Sequence, residues 1–413
     1  MPHSKTIALA GNNGPLLSML SISVFFVGAS EFMLSAMLDP LGRAFGVDSG
    51  QIAWLVSSYA LAYALAAPVF GHLSDRIGRR RLLLIALFLF ALDGLGIALA
   101  PTFEIAVALR ILGGLASAVI IPNAFALVSE RLPRQRHAAA MGVVMLGMTA
   151  GIATGPAIAG VLTGWIGWRA PFLLVSAGCL AAFLVGRMAM PGGRAPTAAT
   201  VPAAQRPLRW LRKPDIAHPL LAKGLWNGTG VAAFLLSGEV LRLRYALDVA
   251  QVGLSTAAFG IGLAVGNLSA GALRRLGSGE ERALVITNVL LFASVAAFYL
   301  PPLPLWGALA CLAAWGASLG AGAPLATTVL ANRSDRDKGA ALAAAETLNN
   351  LSILSFLPLA ATLLAQGKPT LAATVFLAGL GLGVVLTVYD AVRANRRSGS
   401  LVTRDQVSHD IST

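Results

Sequence analysis

The chain of 413 residues is 56% hydrophobic and only 12% charged, with a mean hydropathy of +0.75; a soluble protein carries about twice that charged fraction. Its net charge is +13, but the basic residues stand in short loops with no aromatic residues interleaved, so they do not mark a nucleic-acid surface. Two cysteines inside apolar runs and five scattered histidines exclude a disulfide framework and a metal site.

Apolar runs near twenty residues recur along the whole length, which points to an all-α, polytopic membrane protein. Helices are predicted at 16–39, 51–74, 81–100, 103–129, 137–164, 168–190, 217–241, 250–273, 283–300, 303–331, 338–365 and 369–392. The first run is too long for a cleavable signal peptide and lacks a convincing cleavage site. Residues 191–216 are rich in Pro, Ala, Thr and Arg and read as a cytoplasmic linker. The expected organisation is an N-terminal six-helix bundle at 1–190, the linker, a C-terminal six-helix bundle at 217–392 and a cytoplasmic tail at 393–413.

The first predicted helix carries Glu31 and Asp39. A carboxylate in hydrocarbon is costly and faces a cavity or a partner. Asp39 lies about 12 Å further along the helix and ~80° round from Glu31, so the two can border one cavity at different depths. Glu31 is the candidate for binding and releasing a proton, with a structural hydrogen bond as its alternative role. Asp39 precedes Pro40, and its alternative is to end the helix among headgroups. Tyr59 and Tyr63 share a face of the second helix and, with Trp54, form a cavity wall, an interfacial belt or ordinary packing. Residues Gly71 to Leu84 then make a dense basic turn containing Asp75, Arg76, Gly78 and Arg79, the pattern of a short cytoplasmic loop between membrane helices.

Asp93, in the third helix, is a candidate for the proton pathway. Arg110 lies inside the fourth, followed by Gly113 and Gly114, and an arginine there needs an anion or several carbonyl partners. In the fifth, Gly147, Gly151 and Gly155 recur every four residues as a bare stripe for close packing; Pro156 favours a kink and Gly160 follows. The second half supplies Asn227, Glu346 and Asn350 as cavity candidates. Glu346 and Asn350 are one helical turn apart, whereas Glu239 stands beside Arg242 and has pairing with it as its plain role.

The halves read as a duplication offset by 200 residues: Gly71 and Leu73 match Gly271 and Leu273, Pro101 matches Pro301, and Arg136 matches Arg336. Position 275 is Arg where the first copy has Asp75, so the second loop reads as a degenerate copy. Placing both termini in the cytoplasm puts 24 of the 31 Lys and Arg on that side. Only Arg43, Arg169, Arg242, Arg244 and Lys368 fall opposite, and Arg110 and Lys223 lie within helices. That asymmetry sets the orientation.

The basic turn closely resembles the loop signature of the major facilitator superfamily, Gly-x-Leu-x-Asp-Arg-x-Gly-Arg-Arg. Arg110 with Gly114 resembles its helix-four signature Arg-x-x-Gln-Gly, although Gly113 stands where the glutamine is usual. Residues 151–160 resemble its antiporter motif Gly-x-x-x-Gly-Pro-x-x-Gly-Gly, with Ala159 at one glycine, and residues 167–172 resemble its entry into helix six. Glu31, Asp39 and Arg110 are similar to the acidic pair and helix-four arginine of broad-spectrum bacterial multidrug facilitators. The resemblance implies a twelve-helix major facilitator fold of two pseudo-symmetric six-helix bundles and places the chain with the drug:proton antiporters. It further implies that Asp75, Arg76 and Arg79 form a charge network with Glu130 that steadies one conformational state, and that Arg110 helps form the substrate and proton site.

No Gly-x-x-x-x-Gly-Lys-Ser/Thr loop is present, so the proton gradient is the expected energy source. The expected function is export of drugs or small amphipathic metabolites in exchange for protons by alternating access. The alternatives are a proton-coupled transporter of one native solute such as a sugar, nucleoside or metallophore, and a non-transporting receptor on the same fold. No catalytic residue, cofactor or metal is expected; the expected partners are substrate, protons and lipid, for a monomer in a bacterial-type inner membrane.

Overall fold

The computed structural model describes residues 14–190, 213–276, 279–334 and 338–410, and their side chains except at 70–76, 138, 189 and 396–410. The regular elements among them are helices. The first part of the chain forms α1 (Gly14–Phe32), α2 (Leu34–Phe45), α3 (Ser49–Ile52), α4 (Trp54–Ile77), α5 (Arg79–Leu99), α6 (Phe103–Arg131), α7 (His137–Trp165) and α8 (Arg169–Ala189). The second part forms α9 (Pro214–Tyr245), α10 (Val249–Leu276), α11 (Glu280–Tyr299), α12 (Leu305–Arg333), α13 (Lys338–Ala365) and α14 (Pro369–Asp410). Helix is what such a sequence must adopt in hydrocarbon, where each backbone donor and acceptor has to be satisfied within its own segment.

Among the described residues eleven helices are long and apolar enough to cross a membrane. α9 has the length, with 32 residues, but Lys223, Asn227, Glu239, Arg242 and Arg244 make it more polar. It tolerates them because it is buried along most of its length within the second bundle. Three differences from the predicted boundaries bear on the organisation. The first predicted helix is two, α1 and α2, which break at Met33. There the Ala36 amide bonds Met33 at i−3 and the Ser35 hydroxyl donates to the Phe32 carbonyl at 2.9 Å, while Pro40 can offer no amide to the turn before it. α9 starts at Pro214, inside the segment expected to be linker; residues 191–212 of that linker lie outside the described residues. α14 continues as helix to Asp410, past the expected end at 392.

The helices pair in two matching sets. α1 packs on α7 and α8, as α9 packs on α13 and α14. α6 packs on α4 and α5, as α12 packs on α10 and α11, and α5 on α8 answers α11 on α14. These are the two pseudo-symmetric six-helix bundles. They meet along two equivalent seams, α7 on α10 and α4 on α13, with α2 on α9 closing between them. The turns repeat as well. Gly46 ends α2 and Ala246 ends α9 in the left-handed region, at φ 67° and 52°. Asp48 and Gln51 then cap each other's backbone amides reciprocally (3.2 and 2.8 Å), as do Asp248 and Gln251 (3.0 and 2.8 Å).

Candidate translocation site

Arg110 is the centre of the first bundle. Its side chain is 1% exposed, projects from α6 and touches three other helices. Nε donates to the Leu55 carbonyl at 3.2 Å, and Nη1 donates to Ser30 Oγ and to Asp93 Oδ2, each at 3.3 Å. The guanidinium lies 4.3 Å from the centre of the Tyr59 ring. A cation in this environment has its charge met by one carboxylate, one carbonyl, one hydroxyl and an aromatic face. Gly113 and Gly114 make that possible. A Cβ at 113 would collide with the Asp93 carboxylate, and one at 114 with the Tyr59 backbone. The glycine at the usual glutamine position is therefore the space Asp93 needs, and α5 supplies the acceptor that α6 lacks. Asp93 Oδ1 is buried and has no hydrogen-bond partner among the described residues.

Glu31 sits two residues before the α1–α2 break, next to Ser30. It is half-buried, and its carboxylate makes no hydrogen bond or ion pair among the described residues. Arg110 and Glu346 both lie within its electrostatic reach, and Tyr63 feels both Glu31 and Glu346. The two bundles thus present acids to one region. On the second-bundle side Lys223 Nζ donates to Glu346 Oε1 at 3.0 Å; the lysine is 4% exposed and the glutamate 44%. Asn227 donates to Asn349 at 2.9 Å, and Asn350 donates to the Glu346 backbone carbonyl at 2.9 Å. Asn350 is buried, so it does not share the open face of Glu346, although its Oδ1 has no partner among the described residues. The sequence shows Lys223 within a helix and Asn349 as a polar position of the second half but assigns neither to the cavity. A lone lysine one turn from Asn227 was the available signal.

Asp39 is not beside Glu31. It pairs with Arg43 at 3.0 Å and with Arg242 of α9 at 3.4 Å. It lines a separate cavity of about 580 Å³ on the face that carries the α2–α3, α9–α10 and α13–α14 turns, and Glu31 is not among that cavity's lining residues. The eight-residue spacing sets the two acids at different depths, and the buried Phe32 ring, packed against Phe234 and Phe259, closes the space between those depths.

In the basic turn, the side chains of Asp75 and Arg76, and Gly71 with them, lie outside the described residues. Gly78 opens α5 at φ 91°, a backbone that glycine adopts without strain. Arg79 pairs with Glu130 at 2.9 Å and donates to the Ala126 carbonyl at 3.4 Å. The second bundle carries a counterpart with signs reversed: Glu281, at the start of α11, pairs with Arg333, at the end of α12, at 3.2 Å. Arg333 also binds Asp390 of α14 at 2.8 Å and the Asp215 carbonyl of α9 at 3.3 Å. Comparing position 275 with Asp75 hides this, because the opposite charge entered on the neighbouring helix.

The small residues of α7 divide between two neighbours. Gly147, Gly151 and Gly155 face Ser21, Phe25 and Ala29 of α1, within the first bundle. The seam with the other bundle is instead made by Ala153 against Gly260, Pro156 against Gly253, and Gly160 against Gly253. The close packing expected of the stripe is thus made within the first bundle: a stripe at i+4 spacing has one direction, and here it points to α1. Trp54 is 47% exposed, whereas Tyr59 is buried beneath the Arg110 guanidinium.

The family model described as Major Facilitator Superfamily matches residues 20–353. Among curated relatives, the chain is 31% identical over 246 residues to an uncharacterized MFS-type transporter, YceJ, of Bacillus subtilis, covering 59% of this chain and 63% of that protein. It is 30% identical over 258 residues to a chloramphenicol resistance protein of Streptomyces lividans, covering 62% and 66%. A multi-drug resistance efflux pump of Streptococcus pneumoniae, PmrA, is 32% identical over 155 residues, covering 37% and 39%. The chain thus spans less than two thirds of the length of the relatives it matches. Among solved structures, a variant of the nucleoside transporter NupG aligns with TM-score 0.74 at 13% identity over 92% of this chain and 99% of that one. A bacterial homolog of the human lysosomal transporter Spinster, inward-facing and unoccupied, aligns with TM-score 0.70 at 16% identity over 93% and 96%. These two likenesses concern the fold alone.

Proposed function

The chain belongs to the Major Facilitator Superfamily and is a membrane transporter, not an enzyme; from that premise we propose that it exports drugs or small amphipathic metabolites in exchange for protons. The observation that carries the coupling is Glu31, a carboxylate on a membrane helix that makes no hydrogen bond or ion pair among the described residues, beside the buried Arg110–Asp93 pair. Such a group is held where losing or gaining a proton changes the charge of the cavity. The relatives named for multidrug efflux and chloramphenicol resistance support export of drug-like compounds. Asp93, with one oxygen on Arg110 and the other unpaired, is the second acid of the site, and Glu346 with Lys223 forms the facing wall.

The Lys and Arg distribution supports both termini in the cytoplasm, which makes the α2–α3 face the outer one. The bundle that ends with α8 and the bundle that begins with α9 are the rocking units, joined by the linker between them, in a monomer of a bacterial-type inner membrane. In everted vesicles energised to an acid interior, adding an exported drug should release protons into the medium. Drug uptake without proton movement would rule out the exchange.

Closure of the α7–α10 seam gives a further prediction. A leucine at 160 would drive a side chain into the Gly253 backbone, where a Cβ alone stands 2.8 Å from the Gly253 Cα. Overpacking of that kind costs about 1–3 kcal/mol. Gly160→Leu is expected to leave a monodisperse protein that has lost most of its export, because the cost falls on the state in which the bundles meet. Gly155→Leu acts against α1 instead and should lower the thermal stability of the first bundle.

A further inference from the structure

We propose that Arg242 is the lock of the transport cycle on the α2–α3 face, and that Asp39 serves it as a gate partner and not as a second cavity acid. Three contacts climb the line where α1 and α2 meet α9. Phe32 and Phe234 pack at 5.7 Å between ring centres, with Phe259 stacked on Phe234 at 3.9 Å. One step on, Gly238 lies against the Ser35 carbonyl so closely that no Cβ fits there. One step further, Arg242 reaches Asp39 at 3.4 Å. On α9 the three positions are four residues apart, so they form one stripe of a helix. Aromatic layer, backbone contact and ion pair together close that side of the region holding Glu31 and Arg110.

Arg242 is built for this position. Glu239, one turn back and 5% exposed, holds its guanidinium through two bonds, Nη2 to Oε1 at 2.7 Å and Nε to Oε2 at 2.9 Å. That fork fixes the arginine while leaving a donor edge for Asp39. Arg43 accompanies Asp39 at 3.0 Å and is itself 73% exposed. Both carboxylates and both arginines line the cavity of about 580 Å³ beyond the aromatic layer. Water already reaches the ion pair from that side, so it can break and re-form without desolvating a buried charge. The inference rests on alternating access as proposed above, but on neither the substrate nor the coupling ion.

The test needs no transport. Ser35, 1% exposed between the aromatic layer and the ion pair, is changed to Cys in a background carrying Cys179→Ala and Cys311→Ala. Labelling by a membrane-impermeant maleimide is then timed on whole cells. Asp39→Asn removes the cross-bundle pair and keeps the Glu239–Arg242 fork, so it spares the fold. It is expected to speed labelling about tenfold, which corresponds to roughly 1.4 kcal/mol lost from the closed state. Arg242→Gln should do at least as much, and the double variant should be no faster than Arg242→Gln alone, since the second change finds no pair left to break. Unchanged labelling in Asp39→Asn overturns the proposal. So does a double variant whose acceleration is the product of the two single effects, which would mean that the residues act independently.

Discussion

Glu31→Gln is expected to abolish gradient-driven export while the protein folds at least as well as before. The substitution keeps size and shape and removes one charge. Because no described residue hydrogen-bonds or ion-pairs with that carboxylate, its loss strands no direct partner, and the membrane penalty for a carboxylate disappears. Thermal stability in detergent should hold or rise, drug binding should persist, and drug-triggered proton release in everted vesicles should fall to background. Glu346→Gln makes the contrast. It strips Lys223, which is 4% exposed, of its carboxylate. Breaking such a pair costs about 3 kcal/mol, the low end for buried pairs because the glutamate is half exposed. That variant should lose stability as well as transport. Undiminished proton-driven export by Glu31→Gln would remove Glu31 from the coupling, whatever the stability data say.

The different behaviour of these two acids was only half legible in the sequence. That Glu31 and Arg110 are membrane-embedded charges follows from their places in apolar runs, and the pairing of the two six-helix bundles follows from twelve such runs and a repeat. Which charges neutralise each other does not follow, because it depends on how far each helix slides and turns against the next. Asp93 is the clearest case. Its role is written partly in another residue, since the missing side chain at Gly113 is the space its carboxylate fills. Asp39 shows the reverse: helical arithmetic let it border the same cavity as Glu31 at another depth, but the Phe32 layer packed on Phe234 lies between those depths and Asp39 lines a different cavity. Some signals were present and unused. The Asp48–Gln51 and Asp248–Gln251 caps stand at the same offset as the weaker repeat matches and are more specific, because a reciprocal cap needs both residue types at one spacing. The sign-reversed Glu281–Arg333 pair was hidden because a repeat search compares like with like, whereas an ion pair survives exchange of its ends.

Arg110→Met should be the most damaging single change in the first bundle, and the way it is rescued separates structure from mechanism. Methionine fills much of the volume but leaves Asp93, 1% exposed, as an unpaired buried acid. Removing one partner of such a pair costs about 3–5 kcal/mol, enough to consume much of the stability of a typical domain, so low yield and a lowered melting temperature are expected. Adding Asp93→Asn removes the stranded charge and should restore most of the yield and melting temperature. Transport should not return, because the cation next to Glu31 is still absent. Recovery of export in the double variant would show that the pair is scaffolding alone. The same geometry predicts what Gly113→Gln does: alone it should destabilise, since its side chain enters the space of the Asp93 carboxylate. Combined with Asp93→Gly it should be tolerated, because the amide oxygen then offers Arg110 the acceptor that α5 has given up. If Gly113→Gln is harmless with Asp93 in place, the two residues do not share that space, and the account of why this chain carries a glycine there fails.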